Sequence, residues 1–496
     1  MIHAELSDSP FAGLRVAFST LGCKVNSSEA ESFMSQFLTR GYTIVPFDDA
    51  ADIYVVNTCT VTTIADRKSR QEIRRAGRAN PLALVAATGC YVSVANRELG
   101  NLLPGNLLVV HNREKERLVE RVEEEIAFRR SCTGVAMRPT QRTLAAGRAG
   151  MPVALLPVAV GADQQRTRAT LKVQDGCNAG CTFCIIPRAR GGPRSVPLID
   201  AVNAARALED HGYREVVLTG ILLGSYGRDM PDTPSLAKLI EAILANTRRL
   251  RIRLSSIEAQ DLLPEWFALW QDSRLCPHLH IPLQSGSDSV LQAMRRQYDT
   301  KSFAALVEGA RAAIPDLAVT TDVLVGFPGE TERECAETIA YLEEVGFAGM
   351  HVFRYSARPG TPAARMPNQV PESLKASRSE RVRALAQEGK ARFHSRFSGS
   401  VQEVLWEDAD DGLWHGLTGN YLQVYTRQDP DPRGTTGGDE AHRSGAVRAD
   451  SSTQDARGPG DHDLRNALCA CILGEPYADG LWGTLRPNAP SPVAGP

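Results

Sequence analysis

"LKVQDGCNAGCTFCIIPRARGGPRS", residues 171–195, runs from an apolar, strand-like opening straight into three cysteines, Cys177, Cys181 and Cys184. The pattern is C-x3-C-x2-C, so tight that one loop can turn all three thiolates inward. Three thiolates hold three irons of a four-iron, four-sulfur cluster and leave the fourth iron open. Zinc is the competing reading. A structural zinc site takes four closed ligands, and no histidine or fourth cysteine stands nearby to close one.

Upstream, the same device occurs three more times with single cysteines. In "FSTLGCKVN" a strand pattern ends just before Cys23, and a helix pattern with Phe33 and Phe37 follows. "ADIYVVNTCTVT" is a strand with Cys59 in the loop after it, ahead of a polar helix from about Ile64 to Ala79. "LALVAATGCYVS" is a third strand with Cys90 at its end. In an open parallel sheet the loops at the carboxyl ends of the strands gather along one edge, where ligands bind. Three cysteines at three such ends can converge on one point. Three unrelated buried cysteines remain the alternative on these residues alone, since free cysteine is commonly buried.

The whole chain bounds these readings. Its 496 residues allow about three domains. A net charge of −2 excludes a globally basic surface, so any nucleic-acid contact must rest on local patches. "MIHAELSDSP" has no basic segment followed by an apolar core, and "MPVALLPVAVGA" is too short and too broken by proline to span a bilayer. A cytoplasmic protein with no membrane contact is expected. Eleven cysteines in such a chain point to metal or redox ligands rather than disulfides.

The expected fold class is α/β, in three parts. Residues 14–130 alternate strand and helix as an open parallel α/β domain. Residues 131–166 form a linker rich in Ala, Gly and Arg. Residues 167–395 hold about six βα units, a partial TIM-type barrel, and a basic helix from Pro371 to Phe397 leads on into the next region. Residues 396–488 are β-rich, a small β-barrel interrupted at 428–463 by a polar insert expected to be disordered.

C-x3-C-x2-C with Phe183 before its last cysteine resembles the signature of radical S-adenosylmethionine enzymes. "TLGCKVN", "NTCTVT", "ATGCYV", "VVLTGILLGSYG", "RLSSIEAQDL", "HLHIPLQSGSDSVLQAMRR" and "DVLVGFPGET" narrow the resemblance to the methylthiotransferase family, in that family's order from about Leu14 to Met366. The last region resembles its TRAM domain, a small RNA-binding β-barrel. The resemblance implies that Cys23, Cys59 and Cys90 hold an auxiliary four-iron cluster whose open iron carries the sulfur to be inserted. Cys177, Cys181 and Cys184 would hold the radical cluster, whose open iron binds the amino and carboxylate groups of S-adenosylmethionine. Phe183 would pack against the adenine, and Gly220 would let the cofactor's methionine end approach the backbone. Ser255, Ser256, Glu258 and Gln284, at or near strand ends facing the barrel mouth, would be further cofactor contacts; polar rim and strand caps are their structural alternative.

The implied chemistry is radical, with the hard steps carried by the cofactors. One S-adenosylmethionine gives a 5′-deoxyadenosyl radical that removes the substrate hydrogen, and a second supplies the methyl group on the transferred sulfur. "TLGCKVN" and "RYSARPGTPAA" are closest to the branch acting on threonylcarbamoyladenosine beside the tRNA anticodon. Thiomethylation of isopentenyladenosine in tRNA or of a ribosomal-protein aspartate are the alternatives, and a non-enzymatic iron–sulfur carrier is another. The implied partners are a tRNA anticodon loop and an electron donor such as flavodoxin or ferredoxin, with the sulfur donor left open. The basic stretches "RKSRQEIRRAGR", "RARGGPR" and "RSERVRALAQEGKARFHSR" are candidate phosphate contacts, or simply solvated helix faces. Leu222, Ala259 and Arg354 depart from the family pattern, where histidine, proline and proline stand. Cys132, Cys276, Cys335, Cys469 and Cys471 are not expected to be ligands.

Overall fold

The computed structural model describes residues 10–95, 99–103, 105–131, 167–427 and 463–486. These residues form two compact units that meet in sequence at Phe393 and His394. The linker expected at 131–166, with Cys132, and the insert expected at 428–463 fall almost wholly outside the described residues.

The first unit opens with five parallel strands: β1 (Arg15–Thr20), β2 (Thr43–Val45), β3 (Ile53–Thr58), β4 (Leu84–Gly89) and β5 (Leu107–Val109). Their order is β2-β1-β3-β4-β5. β3 and β4 are buried along their whole length, because helices cover both faces of the sheet. On one face Ile53 and Val55 pack with Phe33 and Phe37 of helix Lys24–Thr39; on the other, Tyr54 and Val56 pack with Ile73 and Ala76 of helix Thr63–Ala79. The strand order reverses between β1 and β3, and an open sheet binds its ligands at that crevice. Cys23 and Cys59 are the residues that follow those two strands.

The same unit continues with β6 (Arg168–Lys172), a short antiparallel pair β7 (Gln174–Asp175) and β8 (Arg194–Ser195), then β9 (Glu215–Thr219), β10 (Arg251–Leu254), β11 (His278–His280), β12 (Ala318–Val325) and β13 (Gly349–Arg354). β6-β9-β10 and β11-β12-β13 are parallel triplets, joined by parallel bridges Ile252–Leu275 and Ser256–His280. The result is six parallel strands in chain order, the expected partial barrel. Capping boxes at Asp299/Ser302 and Thr331/Glu334 start helices Thr300–Ala313 and Glu332–Val345, which cover its outside. At its N-terminal end the fully buried Glu215 carboxylate accepts from Arg251 Nη2 at 2.5 Å and Arg253 Nε at 2.7 Å.

The second unit is a closed barrel, β14 (Val401–Asp410), β15 (Leu413–Thr418), β16 (Gln423–Arg427), β17 (Leu468–Tyr477) and β18 (Gly480–Leu485), in the order β14-β15-β16-β18-β17. Asp411 and Gly412, both at positive φ, make the tight turn between β14 and β15. Trp406, Val424, Cys471 and Leu481 are fully buried within this unit.

Candidate functional site: two three-thiol sets in one unit

The three single cysteines do come together. Cys23 is the N-cap of helix Lys24–Thr39, Cys59 follows β3 directly, and Cys90 opens a short helix, Cys90–Val94. The last point corrects the expectation of a loop at Cys90. Gly89 at φ +96 makes the strand-to-helix turn so tight that a Cβ there would sit 2.4 Å from Thr58 O. Likewise a Cβ on Gly22 would stand 3.0 Å from Cys59 Sγ, so the first two loops touch. Asn26 fixes them by donating to Leu21 O at 2.6 Å and Thr58 O at 3.1 Å. Burial pushes the Cys59 thiol up, and the neighbouring Cys90 and Cys23 sulfurs push it further. Burial raises Cys90 too, against the pull of Arg190.

The second set sits on the loop between β7 and helix Ile186–Arg190. Gly176, at φ +74, comes so close to the returning chain that a Cβ would lie 1.9 Å from Gly192 O. Cys177 N donates to Gly191 O at 3.0 Å and Thr182 N to Met294 O at 3.1 Å, which anchor the loop from both sides. Burial drives Cys177 up to about 11 and Cys184 up to about 12, with Cys181 raising the first further and Cys181 and Cys177 the second. None of the described cysteines is in a disulfide. Thiols grouped in threes on loops braced from outside, with burial raising Cys59 and Cys90 in one set and Cys177 and Cys184 in the other, suit a metal centre, whose binding removes their protons. Both donor sets therefore fit a three-cysteine cluster.

Two buried arginines attend these sulfurs, and the sequence reading missed both. Arg296, 4% exposed, donates from Nη1 to Cys181 Sγ at 3.4 Å and forms an ion pair with Glu258. Arg190 is fully buried and donates from Nε to Cys90 Sγ at 3.2 Å. Arg190 belongs to "RARGGPR", so that stretch is not a set of free phosphate contacts. In the last basic stretch, Arg378 is also buried and paired with Glu330. A further cluster lies along β11, β12 and β13: His280 Nε2 and His351 Nδ1 stand 3.2 and 3.3 Å from Asp322 Oδ1, a spacing at which a cation can also be held.

The remaining candidates are placed as follows. Phe183 packs into an internal cluster with Val290, Met294, Phe327 and Tyr355. Gly220 has a reason inside the chain, since a Cβ would stand 2.9 Å from the Gln174 side chain. Ser255 is buried with its hydroxyl unpaired, while Ser256 is exposed and bridges to His280. Burial raises the Glu258 carboxyl, opposed by Arg296. Gln284 takes φ +71, a left-handed conformation uncommon for this residue type, and its side chain has no partner among the described residues.

Two family models match this chain: the Radical SAM superfamily over residues 171–342 and Uncharacterized protein family UPF0004 over residues 15–110. Among curated proteins, a threonylcarbamoyladenosine tRNA methylthiotransferase of Bacillus subtilis (strain 168) is 42% identical over 82% of this chain and 89% of its own length. The chain belongs to the radical S-adenosylmethionine tRNA methylthiotransferases. This methylthiotransferase is also 36% identical to the Thermotoga maritima protein of the first relative's name, over 84% of this chain and 91% of that one. A tRNA-2-methylthio-N(6)-dimethylallyladenosine synthase of Akkermansia muciniphila is 34% identical over 78% and 87%. Among solved structures, the radical S-adenosylmethionine methyltransferase TsrM of Kitasatospora setae superposes with a TM-score of 0.53 over 71% of this chain and 77% of that one. At 15% identity that likeness speaks to the fold alone. Where the methylthiotransferase departs from the pattern, Leu222 and Ala259 are simply buried, and Arg354 lies 3.9 Å from Glu372. Among its described residues no helix is long and apolar enough to cross a membrane.

Proposed function

We propose that this chain converts N6-threonylcarbamoyladenosine beside a tRNA anticodon to its 2-methylthio derivative, with one four-iron cluster on Cys23, Cys59 and Cys90 and the other on Cys177, Cys181 and Cys184. The observation that carries the reading is two separate three-thiol sets within one compact unit, the arginine that ends the helix after one set donating to a thiol of the other. When bound, the clusters and S-adenosylmethionine supply the one-electron cleavage, the hydrogen abstraction and the sulfur and methyl that are transferred. The chain's own residues hold and orient. Ser255 Oγ, buried and unpaired, and the Gln284 side chain offer polar groups for a cofactor, and Arg296 pairs with Glu258 beside Cys181. On the C-terminal barrel, Tyr477 packs edge-on against Tyr425 and Trp482 and is 39% exposed, an aromatic surface suited to unpaired bases. The electron donor is a small flavodoxin or ferredoxin, and the setting is the cytoplasm.

The test pairs two products in one anaerobic assay on tRNA lacking the 2-methylthio group. Cys59→Ala is expected to cleave S-adenosylmethionine to 5′-deoxyadenosine and make no methylthio nucleoside, and Cys184→Ala to do neither. Nucleoside analysis of tRNA from a deletion strain then identifies the substrate. Loss of methylthio-isopentenyladenosine instead would reassign it, and wild-type thiomethylation by Cys59→Ala would remove the auxiliary site altogether.

A further inference from the structure

Between the sheet of β1–β5 and the cysteine loop after β7 lies a buried group of charges. Glu29 and Asp175 are the anions, with side chains 3% and 1% exposed. Lys115, Lys172 and Arg190 are the cations, at 2%, 14% and 0%. Lys115 Nζ donates to Glu29 Oε1 at 2.5 Å and also pairs with Asp175. Lys172 Nζ lies 3.1 Å from Glu29 Oε1 and 3.4 Å from Asp175 Oδ2. Arg190 Nη1 donates to Glu29 Oε1 at 2.8 Å and Asp175 Oδ1 at 2.9 Å, and Nη2 to Asn26 Oδ1 at 2.5 Å. Arg194 adds a partly solvated contact to Asp175 at 3.3 Å. Three sequestered cations thus face two carboxylates. Each cation is paired, with Glu116 acting on Lys172 from farther off, yet buried charge of one sign stays in excess, which is unfavourable, so one more anion facing the group would balance it.

The direction in which that anion must lie is set by Arg190. Both of its terminal nitrogens are engaged by oxygen, and its remaining N–H, on Nε, points at Cys90 Sγ at 3.2 Å. A doubly positive four-iron, four-sulfur core on three thiolates carries one net negative charge, which matches the surplus. We infer that Arg190 is a positioning residue for the auxiliary cluster: it completes the charge of this group through the Cys90 sulfur and holds the cluster's reduction potential up. Net charge and hydrogen bonds to sulfur are the protein's levers on such potentials. The inference rests on the reading that Cys23, Cys59 and Cys90 hold a cluster. Arg190 closes the helix that follows Cys184, so the same contact also sets one cysteine loop against the other set's thiol.

The experiment uses the full chain, reconstituted anaerobically, as wild type, Arg190→Gln, Arg190→Lys and Lys172→Gln. Iron is counted, and the two clusters are titrated separately by electron paramagnetic resonance, the radical cluster being the one whose signal S-adenosylmethionine perturbs. In Arg190→Gln the reduction equilibrium of the auxiliary cluster is expected to fall at least about tenfold, a shift of 59 mV for one electron, with the radical cluster unmoved. Arg190→Lys restores the charge and most of the potential. Lys172→Gln removes the surplus charge without touching sulfur and shifts the potential the same way by less. If Arg190→Gln does not fold, Lys172→Gln decides alone: an unchanged potential there overturns the inference. A full complement of iron in Arg190→Gln with a wild-type auxiliary potential also overturns it. Wild type with iron for one cluster only would instead sink the reading beneath it, so the two failures are distinct.

Discussion

Alanine at Gly176 is expected to eject the radical cluster while leaving the rest of the chain folded. The new Cβ would stand 1.9 Å from Gly192 O, so that separation must open by more than about 1 Å. The backbone there has φ +74, which costs an L side chain roughly 1–2 kcal/mol. Moving residues 191 and 192 also breaks the bond from Cys177 N to Gly191 O, worth about 0.5–1.5 kcal/mol. Together these disfavour the native loop by roughly 1.5–3.5 kcal/mol, about ten- to several-hundred-fold in its population. Gly180 lies in the same loop with no atom within 4 Å of its Cβ position and no positive φ, so Gly180→Ala is the matched control. Iron and sulfide are counted after anaerobic reconstitution. Wild type and Gly180→Ala should carry about eight irons and Gly176→Ala about four. Equal iron in the two alanine variants would refute the claim that the close approach of Gly176 to Gly192 shapes the site.

Other outcomes follow from the same contacts. Glu215→Gln leaves Arg251 and Arg253 without their buried counter-charge and should cost about 3–5 kcal/mol in urea unfolding, with iron unchanged; a loss below about 1 kcal/mol would contradict this. Stability should fall on acidification in two stages. Burial first, then Arg253 and His280, hold His278 well below its ordinary value. The unfolded histidine takes up a proton below about pH 6.5 that the folded one refuses, so this stability is present above that pH and lost below it, at up to 1.36 kcal/mol per pH unit. Asp322, pushed up by burial but held down to about 2 by hydrogen bonds from His280 and His351, adds a loss between about pH 4 and 2. Urea midpoints across pH check the sign, and a His278→Asn variant that keeps the full slope below pH 6.5 would contradict it. Replacing Cys469 and Cys471 together by alanine should leave iron unchanged, since both thiols are buried in the closed barrel of β14–β18.

The βα alternation was legible because strands buried on both faces read as unbroken apolar runs, as in "IYVVN" and "LALVAA", and each ends on its cysteine. The six strands of the second half were legible from short β-branched and apolar runs set between helical patterns, although burial alternates along β6 and most of β12. What was not legible depends on partners distant in sequence. Arg190 sits among Gly, Pro and other arginines, which locally reads as a solvated basic loop; only Glu29, 161 residues earlier, and Cys90, 100 residues earlier, make it internal. Gly220 was read as room for a ligand; its packing neighbour Gln174, whose Oε1 also accepts from Leu222 N at 2.8 Å, lies 46 residues earlier and leaves no local signal. His280, Asp322 and His351 come from three strands and leave no spacing signal at all.

The buried charge group also bears on how the chain is made. Glu29 and Lys115 are synthesised early, but Asp175 and Arg190 emerge about 44 and 59 residues after the first sheet's last helix, roughly 2–12 s later at 5–20 residues per second. During that interval the nascent first sheet holds a lysine and a glutamate at an unfinished surface, and its three thiols stand without Arg190 over Cys90. Metal delivered then would meet a half-built seat. If Cys23, Cys59 and Cys90 hold a cluster as proposed, a seat complete with Arg190 exists only once the second half of the unit has been made, so the order of translation sets the earliest moment at which that cluster can be fully housed.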